Sequence, residues 1–315
     1  MKAAVINRFG GPEELQISEL DKPVPGPGQL LVKVHTTNVN PIDWKIREGQ
    51  MAARYGEDFP MVLGWDCSGT VEAVGDDVES FAVGDEVFAR SDIGAGGCYA
   101  EYALINVSTA VMKPASMSHT EAGSVPLVGL TAFNSLQYCA GLQAGQHVLI
   151  IGGSGGVGTV AIQIAKNMGA EVTATCSGKN VALVKALGAD HVIDYTQQNP
   201  LASDTQYDVV YDTVCIYDLA TVQPVMKPDG IYVILMPVPD VEFFIPGQTE
   251  REAGKGYFVA WAPKATDLQV LADWIDDGKL EAVIDSVYPL EDIQAAHERN
   301  QTERCAGKIV IRVSD

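Results

Sequence analysis

Residues 147–169 read HVLIIGGSGGVGTVAIQIAKNMG. The first five form a continuous apolar run stopped by glycine, which predicts a short strand buried on both faces, as in a parallel sheet. Gly153, Gly155 and Gly158 follow in the spacing G-x-G-x-x-G, and from Val157 onward Ala161, Ile164 and Met168 continue one apolar helical face. The spacing gains its meaning from lying between a strand and a helix. Gly153 permits the tight turn, Gly155 lets the backbone approach a pyrophosphate, and Gly158 lets helix and strand pack closely. The start of the helix offers unpaired N–H groups and a positive dipole end to that anion.

Toward the C-terminus the alternation continues. Strands are predicted at 171–175, 192–194, 208–213 and 231–236, with a helix over 180–187 that Gly188 ends. This is the pattern of a doubly wound parallel sheet. Toward the N-terminus the period is different. Short strands at 1–7, 30–35, 69–74 and 85–89, with KPVPGPGQ ahead of the second, predict a small barrel-like β domain. Ser118 and Glu121 fit a capping box that opens a helix. The tail predicts helices at 267–277 and 293–300 and a strand at 308–313. No helix follows that strand, so it is expected to return to the first domain. The expected domains are 1–122 with 264–315, and 123–263.

The composition agrees with an α/β protein of two domains. There are 315 residues, 47% hydrophobic and 20% charged, enough for two cores. With 21 Lys and Arg against 41 Asp and Glu the formal net charge is −20, which repels phosphate backbones and anionic lipid. Neither nucleic acid nor a membrane is therefore an expected partner. The N-terminus has no long apolar segment of a secretory signal. The six cysteines, at 67, 98, 139, 176, 215 and 305, form no C-x-x-C pair. They read as reduced thiols of a cytoplasmic protein.

The end of the second strand of the sheet selects the dinucleotide. A site for NADH usually places a carboxylate about 20 residues beyond the glycines, on the ribose 2′-hydroxyl. Here Ser177 stands 19 residues after Gly158, in CSGKN. Ser177 can donate to a 2′-phosphate, Lys179 can neutralise it, and Tyr195 can donate a hydroxyl from beyond the third strand. NADPH is the expected cofactor.

Several longer segments carry a resemblance: NVNPIDWKIREG (38–49), FPMVLGWDCSGTVEAVG (59–75), VGDEVFA (83–89), LVGLTAF (127–133), GGSGGVG (152–158), LGADHVIDY (187–195), YDVVYDTV (207–214) and AGKIVI (306–311). Over its whole length the chain resembles the zinc-independent medium-chain dehydrogenase/reductases, the quinone oxidoreductase (zeta-crystallin) family. The branch with the reticulon-interacting protein and the enone oxidoreductases is the most similar. The resemblance implies a GroES-like β-barrel domain, a Rossmann domain, a cleft between them, NADPH and a homodimer. It implies cofactor contacts at Ser154, Gly156, Val157, Ser177, Lys179 and Tyr195, with Thr131 beside the nicotinamide. Phe258, Val259 and Lys308 would close over the cofactor.

Zinc-dependent relatives need an early ligand, a His-Glu pair and a later ligand. The early position falls here within Asn40–Asp43, and the His-Glu position reads Trp65-Asp66. An indole does not bind zinc, so no metal is expected. Without a Lewis acid, reduction of an already polarised acceptor is the chemistry left within reach. Lys45 is the first candidate to meet the developing oxyanion. Asn40 and Asp43 match the N-x-x-D turn of the family, and Tyr55 is a candidate proton donor. His35, His119, His147, His191 and His297 fall in no recognisable catalytic pattern. The expected function is NADPH-dependent hydride transfer to quinones or α,β-unsaturated carbonyls. One-electron quinone reduction and a non-catalytic NADPH-binding redox sensor are the alternatives.

Overall fold

The computed structural model describes residues 1–202, 204–244, 251–259 and 263–314, with the backbone alone at Val259. The chain divides into two compact units, residues 1–127 with 263–315, and residues 128–262.

In the second unit seven parallel strands form one sheet. In spatial order they are His191–Asp194, Glu171–Cys176, His147–Ile151, Tyr207–Asp212, Met226–Ile234, Gly256–Val259 and Val241–Phe244. His147–Ile151 is central in register as in sequence: Leu149 lies opposite both Thr173 and Val210. Its residues 148–151 are buried, which is why that run is uninterruptedly apolar. The strand order reverses direction at His147–Ile151, between Glu171–Cys176 on one side and Tyr207–Asp212 on the other. In a doubly wound sheet this is where ligands bind, beyond the carboxyl ends of the strands.

One buried carboxylate organises the loop after Tyr207–Asp212. Asp212 accepts hydrogen bonds from four consecutive backbone amides, Val214 (3.0 Å), Cys215 (2.8 Å), Ile216 (3.0 Å) and Tyr217 (3.0 Å). The chain wraps so closely that Cys215 takes a left-handed φ of 64°. The wrapped loop reaches the glycine turn, since a Cβ on Gly152 would lie 2.4 Å from Val214.

In the first unit, strands Ile284–Pro289, Lys308–Arg312, Gln29–Val39, Asp66–Val74, Glu86–Arg90 and Ala110–Met112 are neighbours in that order, and Tyr102–Asn106 also pairs with Gln29–Val39. The last strand of the chain, Lys308–Arg312, thus runs antiparallel to Gln29–Val39. A small sheet of Gln16–Glu19, Lys2–Ile6 and Met61–Val62 flanks it. Apolar clusters around Leu30, Val32 and Val87, around Ile6, Trp65 and Ile309, and around Ala3, Val5 and Ala100 fill this unit. The Ser118–Glu121 capping box is present, and the helix it opens is the short His119–Ala122. The predicted tail helices are Ala265–Asp276 and Ile293–Gln301. Among the described residues no helix is long and apolar enough to cross a membrane.

Candidate functional site

The glycine turn lies between His147–Ile151 and the helix Gly156–Asn167. Its backbone is tied to the neighbouring strand: Gly153 N–H donates to Thr175 O (2.7 Å) and Gly152 N–H to Thr175 Oγ1 (3.1 Å). The glycines are not equivalent. A Cβ on Gly158 would stand 2.1 Å from Gly152 O, and one on Gly153 2.9 Å from Ala174 Cβ. Those two are glycine because the protein itself leaves no room. Gly155 is different. Its φ of −76° and ψ of 172° suit any residue, and the only atom within 4 Å of an added Cβ is Gly152 O at 3.4 Å. Nothing in the chain requires glycine there. A side chain would instead fill the space in front of the first helical amides, those of Gly156, Val157 and Gly158, which no helical carbonyl satisfies. The residues present therefore fit a pyrophosphate.

Ser154 and Ser177 are joined by a residue that sequence reasoning passed over. Asn180 Nδ2 donates to Ser154 Oγ at 3.0 Å and, more weakly, to Ser177 Oγ at 3.5 Å. An oxygen that accepts from Asn180 is left with its own O–H to donate elsewhere. The tight turn Gly178–Asn180 brings this about, and Lys179 lies within it. Tyr195 follows the third strand, is 44% exposed, and its N–H is held by Cys176 O (3.1 Å). Two serine hydroxyls thus meet at Asn180, with Lys179 in the same tight turn and Tyr195 just beyond the neighbouring strand. Asp194 also reaches this end. An added Cβ on Gly178 would meet its Oδ2 at 2.6 Å, while its Oδ1 accepts from Thr196 N–H and Oγ1. Replacing Asn180 with Ala is expected to raise the Michaelis constant for NADPH several-fold and that for NADH little. Parallel rises in both would show that Asn180 only supports the turn.

Thr131 is nearly buried on the helix Pro126–Asn134. Phe258 is half-buried on Gly256–Val259 and stacks on Phe243 at 5.6 Å. The backbone of Val259 pairs with Phe244, and its side chain lies outside the described residues.

In the first unit, Asn40, Asp43 and Lys308 come together with Asp66 in one buried network. Asn40 leads the helix Pro41–Arg47, and its backbone N–H donates to Asp43 Oδ2 at 2.7 Å. Its side-chain amide donates to Asp66 Oδ2 (2.8 Å) and to Asn38 Oδ1 (2.9 Å). Its carbonyl oxygen accepts from Lys308 Nζ at 2.6 Å, and the ammonium also donates to Val39 O at 3.1 Å. Burial pushes Asp43 up to about 7 and Asp66 upward, and pushes Lys308 down to about 8; the attraction of Lys308 for both carboxylates works against these shifts. One cation and two carboxylates share this interior.

Lys45 lies on the same helix but outside that network, with its ammonium 5.5 Å from the ring of Trp44. The Tyr55 ring lies tilted against Trp65 at 5.5 Å, and the Arg90 guanidinium lies over the Trp65 ring at 4.6 Å. Trp65 Nε1 is a buried donor with no acceptor among the described residues. Among those residues no group of three or more His, Cys, Asp or Glu is placed to hold a metal ion.

Two family models match the chain: the alcohol dehydrogenase GroES-like domain over residues 26–115 and the zinc-binding dehydrogenase over residues 187–311. A chloroplast envelope quinone oxidoreductase homolog of Arabidopsis thaliana is 32% identical over 99% of this chain and 98% of its own. This chain belongs to the zinc-independent quinone oxidoreductases of the medium-chain dehydrogenase/reductase family. Two other relatives of this oxidoreductase differ in their named activities. The human NAD(P)H oxidoreductase RTN4IP1, mitochondrial, is 32% identical over 99% of this chain and 89% of its own. The trans-enoyl reductase pgmF of Aspergillus terreus is 35% identical over 92% and 88%. The structure of the quinone oxidoreductase from Coxiella burnetii matches with a TM-score of 0.89 at 32% identity, covering 100% of this chain and 99% of that one. The matched GroES-like model and the parallel sheet place the oxidoreductase in the expected fold class.

The sequence reading gave Asp66 no role beyond a lost zinc position and gave His297 none. They come from segments far apart in the chain, and each alone reads as an ordinary polar residue. Asn180 had a local signal, lying three residues after Ser177 where a side-chain amide can turn back on a serine.

Proposed function

We propose that this chain is an NADPH-dependent reductase of quinones or α,β-unsaturated carbonyls, working by two-electron hydride transfer. The coarser statement, an NAD(P)H-dependent oxidoreductase, follows from the family. The observation that carries the choice of NADPH is the meeting of Ser154, Ser177 and Asn180 beside Lys179, with Ser177 at the position where an NADH site carries an acid. When bound, the dinucleotide would supply hydride. The chain's own residues would do the rest. The glycine turn would hold the pyrophosphate. The two serines and Lys179 would hold the 2′-phosphate. Thr131 and Phe258 are proposed to border the nicotinamide. The network of Asn40, Asp43, Asp66 and Lys308 would hold a proton for the reduced product. Lys45 and Tyr55 remain proposed contacts to the acceptor. No disulfide joins any of the six cysteines, which suits the reducing compartment we propose, the cytoplasm.

The test is NADPH oxidation under argon with one small enone and one ortho-quinone. The expected result is turnover of at least one acceptor with a two-electron product, the saturated ketone or the hydroquinone. A semiquinone radical signal would replace this reading with one-electron chemistry. Tight NADPH binding with neither acceptor turned over would replace it with a non-catalytic role.

A further inference from the structure

The hydrogen bonds behind Asp43 have a direction, and it is set three residues away. Arg47 is fully buried, and its Nη1 lies 2.9 Å from His297 Nδ1. A guanidinium only donates, so Nδ1 must be the accepting, unprotonated nitrogen of the ring. The single ring proton is then on Nε2, 3.1 Å from Tyr99 Oη. Tyr99 accepts from His297, which leaves its own proton for Asp43 Oδ2 at 2.8 Å. All four side chains are 0% exposed. The remaining bonds of Arg47, to Gly10 O, Glu48 and Gln301, pin its fork in place.

At the other end of this line, Asp43 Oδ2 accepts twice, from Tyr99 and from the Asn40 N–H. Its Oδ1 is buried and has no hydrogen-bond partner among the described residues. Asp66 is the opposite case, because both of its oxygens accept, Oδ1 from Leu127 N–H (2.5 Å) and Oδ2 from Asn40 (2.8 Å). Lys308 bears on both carboxylates, and Arg90 bears on Asp66 as well, so the second carboxylate, Asp43, has the weaker counter-charge. A proton that neutralises the second belongs where no donor already points.

We infer that His297 is a positioning residue which, through Tyr99, fixes Asp43 with Oδ2 as acceptor and Oδ1 as the seat of an ionisable proton. His297 does not itself relay the proton. Its free nitrogen faces Arg47, and burial together with that cation pushes the ring down to about 3, so it stays neutral. It passes on orientation. The charged and titratable groups that bear on Asp43 are Lys308, Asp66, Tyr99 and the buried Cys98 thiol, with Arg47 and His297 behind Tyr99. Use of this proton in reduction rests on the function proposed above; the arrangement itself does not.

The test reads Asp43 directly in the protein without cofactor, by carbon-13 NMR of aspartate labelled at the side-chain carboxyl, with Asp43→Asn identifying the resonance. The expected wild-type midpoint is near neutrality. Tyr99→Phe removes a donor to the Asp43 carboxylate and is expected to move the midpoint upward by about one unit; His297→Leu removes the donor that directs the Tyr99 proton to Asp43 and is expected to move it in the same direction by less. His297→Gln can accept from Arg47 and donate to Tyr99, and is expected to restore it. Tyr99→Phe, which deletes one oxygen, carries the test if His297→Leu does not fold. A wild-type midpoint in the ordinary aspartate range overturns the inference. So does a midpoint that neither variant moves. Failure of the reductase reading looks different: the titration stays intact in a wild-type protein that turns over neither enone nor quinone.

Discussion

Gly155→Val is expected to give a folded protein that no longer binds NADPH, whereas Gly158→Ala is expected to lose both binding and stability. The contrast follows from what each added Cβ would meet. At Gly158 it is a backbone oxygen at 2.1 Å, which cannot move without opening the turn. At Gly155 it is one oxygen at 3.4 Å, with a backbone already in the extended region. A side chain there lies where the pyrophosphate must approach the amides. Hydrogen bonds to a charged group contribute about 1.5–3 kcal/mol each, so losing two weakens binding on the order of a hundredfold or more. Calorimetric titration with NADPH and a thermal melt separate the effects. Retained binding by Gly155→Val would remove the pyrophosphate from this turn.

Lys308→Met is expected to destabilise the first unit by about 3–5 kcal/mol at pH 8, because it strands buried carboxylates without their cation. The deficit should shrink at pH 5. Asp43 and Asp66 already bind protons more tightly than an ordinary carboxylate, and without Lys308 they bind them more tightly still. At pH 5 less unpaired charge is therefore left in the interior. A carboxyl raised from 3.8 to about 7 loses stability as pH rises through that window. A histidine lowered from 6.5 to about 3 gains it over nearly the same range. Asp43 and His297 therefore offset each other. Urea unfolding at both pH values measures the deficit, and equal deficits would mean that Lys308 acts by packing alone.

The sheet was legible because its central strand is buried on both faces and so carries no polar interruption. The glycine turn was legible because each of its constraints is local. Helix ends were read less well. The 180–187 segment begins as the tight turn Gly178–Asn180, and only Val181–Ala186 is α-helical. The predicted strand 30–35 extends to Val39, since Asn38 and Val39 pair with Lys308–Arg312 at the far end of the chain. That pairing also hid how Lys308 meets Asn40 and the two carboxylates. Lys308 could be placed by resemblance beside a cofactor, but its bond to Asn40 spans 268 positions and leaves no periodic trace. Lys45 stood out as a cation in a recognisable motif. The lysine enclosed among carboxylates is Lys308, and a sequence does not distinguish it from a solvated one.

The contact between Gly178 and Asp194 bears on any attempt to redesign the coenzyme preference. The usual route toward NADH installs an acid at the end of the second strand, which here means Ser177→Asp. The neighbouring position already lies against the carboxylate of Asp194. A new acid would face a like charge as well as lose the serine that Asn180 orients. A single exchange should therefore abolish the old preference without creating the new one. A working switch would have to neutralise Asp194 in the same step, so the two positions form one unit of specificity that selection or an engineer must change together.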